Sequence, residues 1–273
     1  MEDEYLIKEG GRFAAVFDGH GGSDVSRYLR QNFYSKLQDQ RKRKQWEDQD
    51  TPSYGSLSSH VTALRRAFEQ VDREVCAMDD MCHQGSTAVA VSMHEEKDGR
   101  RILLSANVGD SRAVLCRNGG AVDLTRDHKP NCERERARLE AMGETVEYDP
   151  LGQCWRVRNL SLSRAIGDKT SKPAVTGQVE IQQFTVTDGD EFIILGSDGL
   201  WDVMSSQDAV TFVRNRLNAT PTAWDGNELE RIAYARRMTM SKELVQEALK
   251  NSRKFGPAAD NICVVVVWLN KNR

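Results

Sequence analysis

Five apolar residues in a row, Phe13-Ala14-Ala15-Val16-Phe17, pass directly into Asp18-Gly19-His20-Gly21-Gly22. An unbroken apolar run of this kind predicts a strand buried on both faces. A carboxylate stands at its end, and the glycines beyond it allow a tight turn and close backbone approach. Asp-Gly is also an ordinary turn pair. The design returns, however, at Phe192-Ile193-Ile194-Leu195, which runs through Gly196-Ser197 into Asp198-Gly199. It recurs in mirror order where Asp260-Asn261 leads into Ile262 to Trp268. Three buried strands with an Asp at one end exceed what turn chemistry asks for and point to a metal site.

The candidate ligands all offer oxygen. Asp18, Asp198 and Asp260 end apolar strands, Glu2, Asp3 and Asp110 lie at ends or turns, and the five histidines do not cluster. Such a set suits Mg²⁺ or Mn²⁺ rather than Zn²⁺. Carboxylates converging without a cation repel one another and take up protons. Two divalent ions, about 3.5–4 Å apart in such centres, neutralise them and can both activate water and hold a phosphoryl oxygen. Asp18 is the expected bridge, because the adjacent glycines also expose the carbonyl of Gly19 as a ligand.

Composition excludes several classes. With 273 residues, 39% hydrophobic, 29% charged and a net charge of −3, the chain reads as an ordinary globular protein. Nothing in that charge invites nucleic acid or an anionic membrane. No apolar run approaches the ~20 residues of a membrane span, and Met1-Glu2-Asp3-Glu4 lacks the character of a signal peptide. The six cysteines form no Cys-x-x-Cys pair, which predicts reduced thiols and a cytoplasmic setting. The basic run Arg41 to Lys44 admits a nuclear-import reading beside the plainer one of exposed surface.

Along the chain, Ser23 is the expected cap of a helix carrying Val25, Leu29, Phe33 and Leu37 on one face. Residues 38–59 read as a polar loop or insertion. A helix from Ser59 carries Val61, Leu64, Phe68, Val71, Val75 and Met78. Strands follow at 88–93, 102–108 and 113–116, in antiparallel succession, with Asn118-Gly119-Gly120 as a hairpin turn. A charged helix is expected over 133–142, ending at Gly143. A strand at 179–184 and a helix after Ser205 come next. Residues 218–239 carry no clear pattern, and a final helix begins at Ser241. The order points to α+β layering in one domain.

Five motifs occur in sequence: Asp18-Gly-His-Gly-Gly22, Gly109-Asp-Ser-Arg112, Ser163-Arg-Ala-Ile-Gly-Asp168, Ser197-Asp-Gly-Leu-Trp-Asp202 and Asp260-Asn261. Gly85-Ser-Thr87 and Asp127-His-Lys-Pro130 fit the same pattern. The set resembles the type 2C, metal-dependent protein serine/threonine phosphatases. The resemblance implies a four-layer α-β-β-α sandwich over 1–273, two packed antiparallel sheets flanked by helices. It implies a binuclear Mn²⁺ or Mg²⁺ centre, with Asp18 and the Gly19 carbonyl between the ions and Asp198 and Asp260 completing the sites. Glu2 would reach the second ion through water, Asp3 would orient water, and Asp110 with Asp198 would hold a weaker third ion. Asn261 and Asp202 would support these ligands. The implied reaction is hydrolysis of phosphoserine and phosphothreonine in protein substrates by a monomer. His20, two residues after the bridging Asp, would give the leaving alkoxide its proton. Arg164 and Asp168 are expected to pair and fix a turn, and Lys169 and Lys172 to lie on a flap beside the site. Members of the family carry a phosphate-gripping arginine shortly before the Glu-Asp pair. This sequence has neither that arginine nor the strand that would carry it, which predicts an N-terminally truncated member with frayed Glu2 and Asp3 and leaves a weak or inactive phosphatase, or a scaffold, as the alternative.

Overall fold

The structure is a computed structural model that describes residues 1–47, 56–218, 226–255 and 260–269. In chain order the first strands are β1 (Glu4–Lys8), β2 (Phe13–Phe17) and β3 (Gly19–His20), followed by helices α1 (Asp24–Glu47) and α2 (Leu57–Cys76). Next come β4 (Gly85–Ser86), β5 (Ala88–Glu95), β6 (Arg101–Val108), β7 (Arg112–Arg117), β8 (Gly120–Asp123) and α3 (Glu133–Ala141). Then follow β9 (Glu147–Asp149), β10 (Cys154–Arg156), β11 (Ile166–Gly167), β12 (Glu180–Thr185) and β13 (Asp190–Gly196). The chain continues with α4 (Asp198–Trp201), α5 (Ser206–Asn218), α6 (Gly226–Phe255) and β14 (Val264–Trp268).

Two antiparallel sheets dominate, one ordered β1-β2-β5-β6-β12 and the other β14-β13-β7-β8. Period-two alternation sorts their side chains into three layers of core. From β2, Phe13, Ala15 and Phe17 meet Val25, Leu29, Phe33 and Leu37 of α1 and Leu64, Phe68 and Val71 of α2. The intervening Ala14 and Val16 face the opposite way, onto Leu115, Ile193, Leu195 and Val265 of the second sheet. Beyond it, Val114, Phe192 and Ile194 bury against Val210 and Val213 of α5 and Met240 and Leu244 of α6. The result is the α-β-β-α sandwich expected from the sequence. Among the described residues no helix is long and apolar enough to cross a membrane.

Three expectations about elements need correction. Residues 38–47 continue α1 instead of forming a loop, since Gln, Arg and Lys are good helix formers and Arg41 anchors the turn to Glu9 at 2.9 Å. The rest of the supposed insertion, up to residue 55, lies outside the described residues. Helix α6 begins at Gly226, not at Ser241, and helix α2 begins at Leu57 with Ser56 as its cap and ends at Cys76, before Met78, whose backbone is extended. Strand β1 has no counterpart in the sequence reading. It pairs with β2 from Glu4↔Phe17 to Lys8↔Phe13, with only Leu6 buried.

Register then places the acidic motifs. Glu4 lies opposite Phe17, Ala88 opposite Val108, and Gly196 opposite both Val264 and Arg112. The residues just beyond these pairs are Asp3, Asp18, Asp110, Asp198 and, a few residues before β14, Asp260. All fall at the same rim of the two sheets. A small third sheet, β11-β4-β3, pairs His20 with Gly85 and Gly85 with Gly167, bringing His20 beside Asp168.

Candidate active site

Each rim carboxylate is held by a separate device. The main chain of Asp18 is clamped by Thr87, whose N–H donates to the Asp18 carbonyl at 2.8 Å. In return the Asp18 N–H donates to Thr87 Oγ1 at 3.2 Å, and that hydroxyl lies 2.6 Å from Ser111 Oγ. Gly19 is required by space. A Cβ there would stand 2.7 Å from the Glu2 carbonyl oxygen and 2.8 Å from Ser26 Oγ.

Glu2 and Asp3 are not frayed. The Glu2 N–H donates to Asn261 Oδ1 at 2.7 Å, and the Ser26 hydroxyl donates to the Glu2 carbonyl. Asp3 is buried and accepts from Ser197 Oγ at 2.9 Å, while Ser197 Oγ accepts the Cys263 N–H at 3.0 Å. The first residues are therefore tied to Ser197, just past β13, and to the segment entering β14, which is why they stay ordered. The Asn261 N–H in turn donates to Asp260 Oδ1 at 2.7 Å. Asp260 itself is exposed.

On the other side, Asp110 is 2% exposed and accepts from Lys129 Nζ at 2.8 Å. His20 Nε2 lies 2.8 Å from Asp168 Oδ2, with the carboxylate nearly buried and the imidazole partly open. Gly85 lies beneath the pair, where any Cβ would collide with both groups. This corrects the expected Arg164–Asp168 pair: Arg164 turns to Glu135 and Asp168 to His20. Lys169 and Lys172 are likewise paired, with Asp79 at 2.8 Å and Asp72 at 3.0 Å. Arg12 lies beside Glu95, 3.6 Å away.

The electrostatics follow from crowding. Burial, then the charges of Asp198, Asp3, Asp110 and Asp260, push the Asp18 carboxyl up to about 10. Burial, with Asp110, Asp202 and Asp260 beside it, raises Asp198 to about 7. Asp3 is raised mainly by burial, against the hydrogen bond from Ser197, and Asp202 is raised by burial as well. Burial alone would depress His20, but the hydrogen bond and charge of Asp168 override it and hold the imidazole above its ordinary value.

These observations test whether the residues fit divalent ions. The donor set is all oxygen, its members repel one another, and among the described residues no N–H or hydroxyl group donates to the buried Asp3 Oδ1. A buried carboxylate oxygen left bare is costly unless a cation or water meets it. Among the described residues, no three His, Cys, Asp or Glu side chains already close around one point, so the set is open and not a preformed cage. Its chemistry suits a hard cation.

Several supporting residues escaped the sequence reading. Ser197 and Lys129 lie inside recognised motifs, where the acidic neighbour drew attention, and Ser26 sits in a helix interior with no signal at all.

A mixed sandwich with an acidic rim defines the class of fold. The description "Protein phosphatase 2C" matches residues 7–254, and the chain belongs to that family. It is 38% identical over 266 residues to "Probable protein phosphatase 2C 27" of Arabidopsis thaliana, covering 94% of this chain and 58% of that one. The chain thus spans about six-tenths of that relative's length. Among solved structures, "Structure of a C.elegans sex determining protein" superposes with a TM-score of 0.79 at 28% identity, covering 98% of this chain and 61% of that one. The Toxoplasma gondii serine-threonine phosphatase 2C shares the fold, with a TM-score of 0.75 at 24% identity, covering 94% and 84% of the two chains.

Proposed function

We propose that the rim is the active site of a metal-dependent protein serine/threonine phosphatase, hydrolysing phosphoserine and phosphothreonine in protein substrates. The observation that carries this reading is the convergence of Asp3, Asp18, Asp110, Asp198 and Asp260 at one edge, mutually repelling and with a buried Asp3 oxygen to which no N–H or hydroxyl group among the described residues donates. Asp18, the Gly19 carbonyl, Asp198 and Asp260 would hold two Mn²⁺ or Mg²⁺ ions, Glu2 would reach the second through water, Asp3 would orient bound water, and Asp110 with Asp198 would hold a weaker third ion. Bound there, such ions supply the positive charge that draws in a phosphoryl group and makes water nucleophilic at neutral pH.

The chain's own residues do the rest. Thr87 and Ser111 fix the Asp18 main chain, Ser197 fixes Asp3, and Asn261 fixes the segment that carries Glu2. His20 serves as the general acid. Asp168 engages its Nε2, so Nδ1 is the atom left to give a proton to the departing serine or threonine oxygen.

Two measurements check the reading. Hydrolysis of a phosphothreonine peptide should require Mn²⁺ or Mg²⁺ and vanish in EDTA. Activity that persists after chelation sinks the metal mechanism, and a folded, Mn²⁺-loaded chain with no activity supports a binding scaffold instead. Asp168→Asn should lower peptide turnover by about tenfold or more, because it weakens the hold on the general acid. The same variant should affect p-nitrophenyl phosphate far less, since its leaving group needs no proton. Equal losses on both substrates would remove His20 and Asp168 from proton transfer.

A further inference from the structure

The Lys129 ammonium is the donor that the Asp110 carboxylate has among the described residues. Asp110 is 2% exposed, so water cannot neutralise it, whereas the Lys129 side chain is one-third exposed. The segment carrying Lys129 is clamped on both sides. Asp127 accepts two hydrogen bonds from Arg112, at 3.0 and 2.7 Å. The His128 N–H donates to the Gly109 carbonyl at 3.0 Å, and His128 Nδ1 accepts the Gly109 N–H at 3.2 Å. The Ser163 N–H donates to the His128 carbonyl at 2.8 Å. Lys129 is thus delivered to Asp110 by a clamped frame, on a flexible four-carbon stem that is one-third exposed. Asp198 and Asp202 also lie within electrostatic reach of the ammonium.

We propose that Lys129 is a built-in counter-ion at Asp110, so that a weakly held third divalent ion can occupy that position only by displacing the ammonium. Lys129 then sets the ion concentration at which the position fills. The inference rests on the metal reading above and adds a positioning residue to it. A divalent ion brings twice the charge of the ammonium, and Lys129 has solvent into which to withdraw. The exchange is therefore a competition between two cations for one buried carboxylate.

Calorimetric titration with Mn²⁺ tests this on the full chain. Asp110→Asn identifies the weak step as the one it removes. Lys129→Gln should tighten that step by about tenfold or more, since the competing charge-assisted hydrogen bond is gone. Without metal the same variant should melt at a lower temperature, because Asp110 is left buried and unpaired, and Mn²⁺ should restore the loss. Lys129→Arg keeps a cation and should leave the weak step within a few-fold of the parent, which holds the test open if Lys129→Gln does not fold. A weak step unchanged or weakened in Lys129→Gln, or tightened in Lys129→Arg, overturns the proposal. Absence of any Mn²⁺ uptake by the parent overturns the metal reading itself. Tight uptake at the stronger sites with no effect of Lys129 overturns this inference alone.

Discussion

Asp18→Asn is expected to lower turnover of a phosphothreonine peptide by about a thousandfold or more while leaving the fold intact, because it removes the carboxylate that would hold the proposed ions. The clamp on this residue runs through its main chain, from Thr87, and an amide side chain leaves that clamp untouched. The substitution also removes one member of a crowded, buried set of like charges. In EDTA the variant should therefore melt no lower than the parent. Saturating Mn²⁺ should raise the parent's melting temperature by about 5–10 °C, the scale set by binding at a hundred times Kd. That rise should be lost in Asp18→Asn. A variant that melts well below the parent in EDTA would assign Asp18 a structural role. A variant that keeps both activity and the Mn²⁺ shift would displace Asp18 from the centre of the site.

The legibility of this site in the sequence has a physical basis. Strands buried on both faces leave an unbroken apolar signature, and a carboxylate at the end of such a strand stands out against it. Asp18, Asp198 and Asp260 were therefore visible, and register within each sheet together with the packing of one sheet on the other carries them to one rim. What stayed hidden is pairing across long separations. His20 and Asp168 are 148 residues apart, joined by a sheet of two-residue strands too short to leave any periodicity. Strand β1 was missed because Tyr5-Leu6-Ile7 is short and flanked by charges, as suits an edge strand whose outer residues meet water. The C-terminal turns of α1 were missed for the opposite reason. Polar straight-chain residues extend a helix without an apolar stripe to betray it. In each of these cases the local signal was too weak to show what tertiary contacts decide.

Those same contacts make Glu135→Ala the most destabilising substitution expected outside the hydrophobic layers. Glu135 is buried on α3 and gathers two arginines and a serine. Its Oε1 accepts from Arg164 Nε at 3.0 Å, and its Oε2 from Arg138 Nη2 at 2.9 Å and Ser163 Oγ at 2.8 Å. The arginines continue outward, Arg138 to the Ala174 carbonyl at 2.9 Å and Arg164 to the Gln178 carbonyl at 2.9 Å. Removing the carboxylate strands both guanidinium groups, at a cost of about 3–5 kcal/mol. Burial would raise the Glu135 carboxyl, but the arginines and Ser163 outweigh it and bring it down to about 2 from an ordinary 4.5. A depressed carboxyl contributes its full stability above the unfolded value and loses it as the pH falls through the folded one. The parent should therefore lose about 3 kcal/mol of stability between pH 4.5 and 2 that Glu135→Ala lacks from the start. Chemical denaturation at pH 7 and pH 3 measures both effects, and equal gaps between the two proteins at both pH values would refute the assignment. The network also fixes the segment from Ser163 to Asp168, so the variant should lose peptide turnover before it unfolds, as Asp168 loosens its hold on His20.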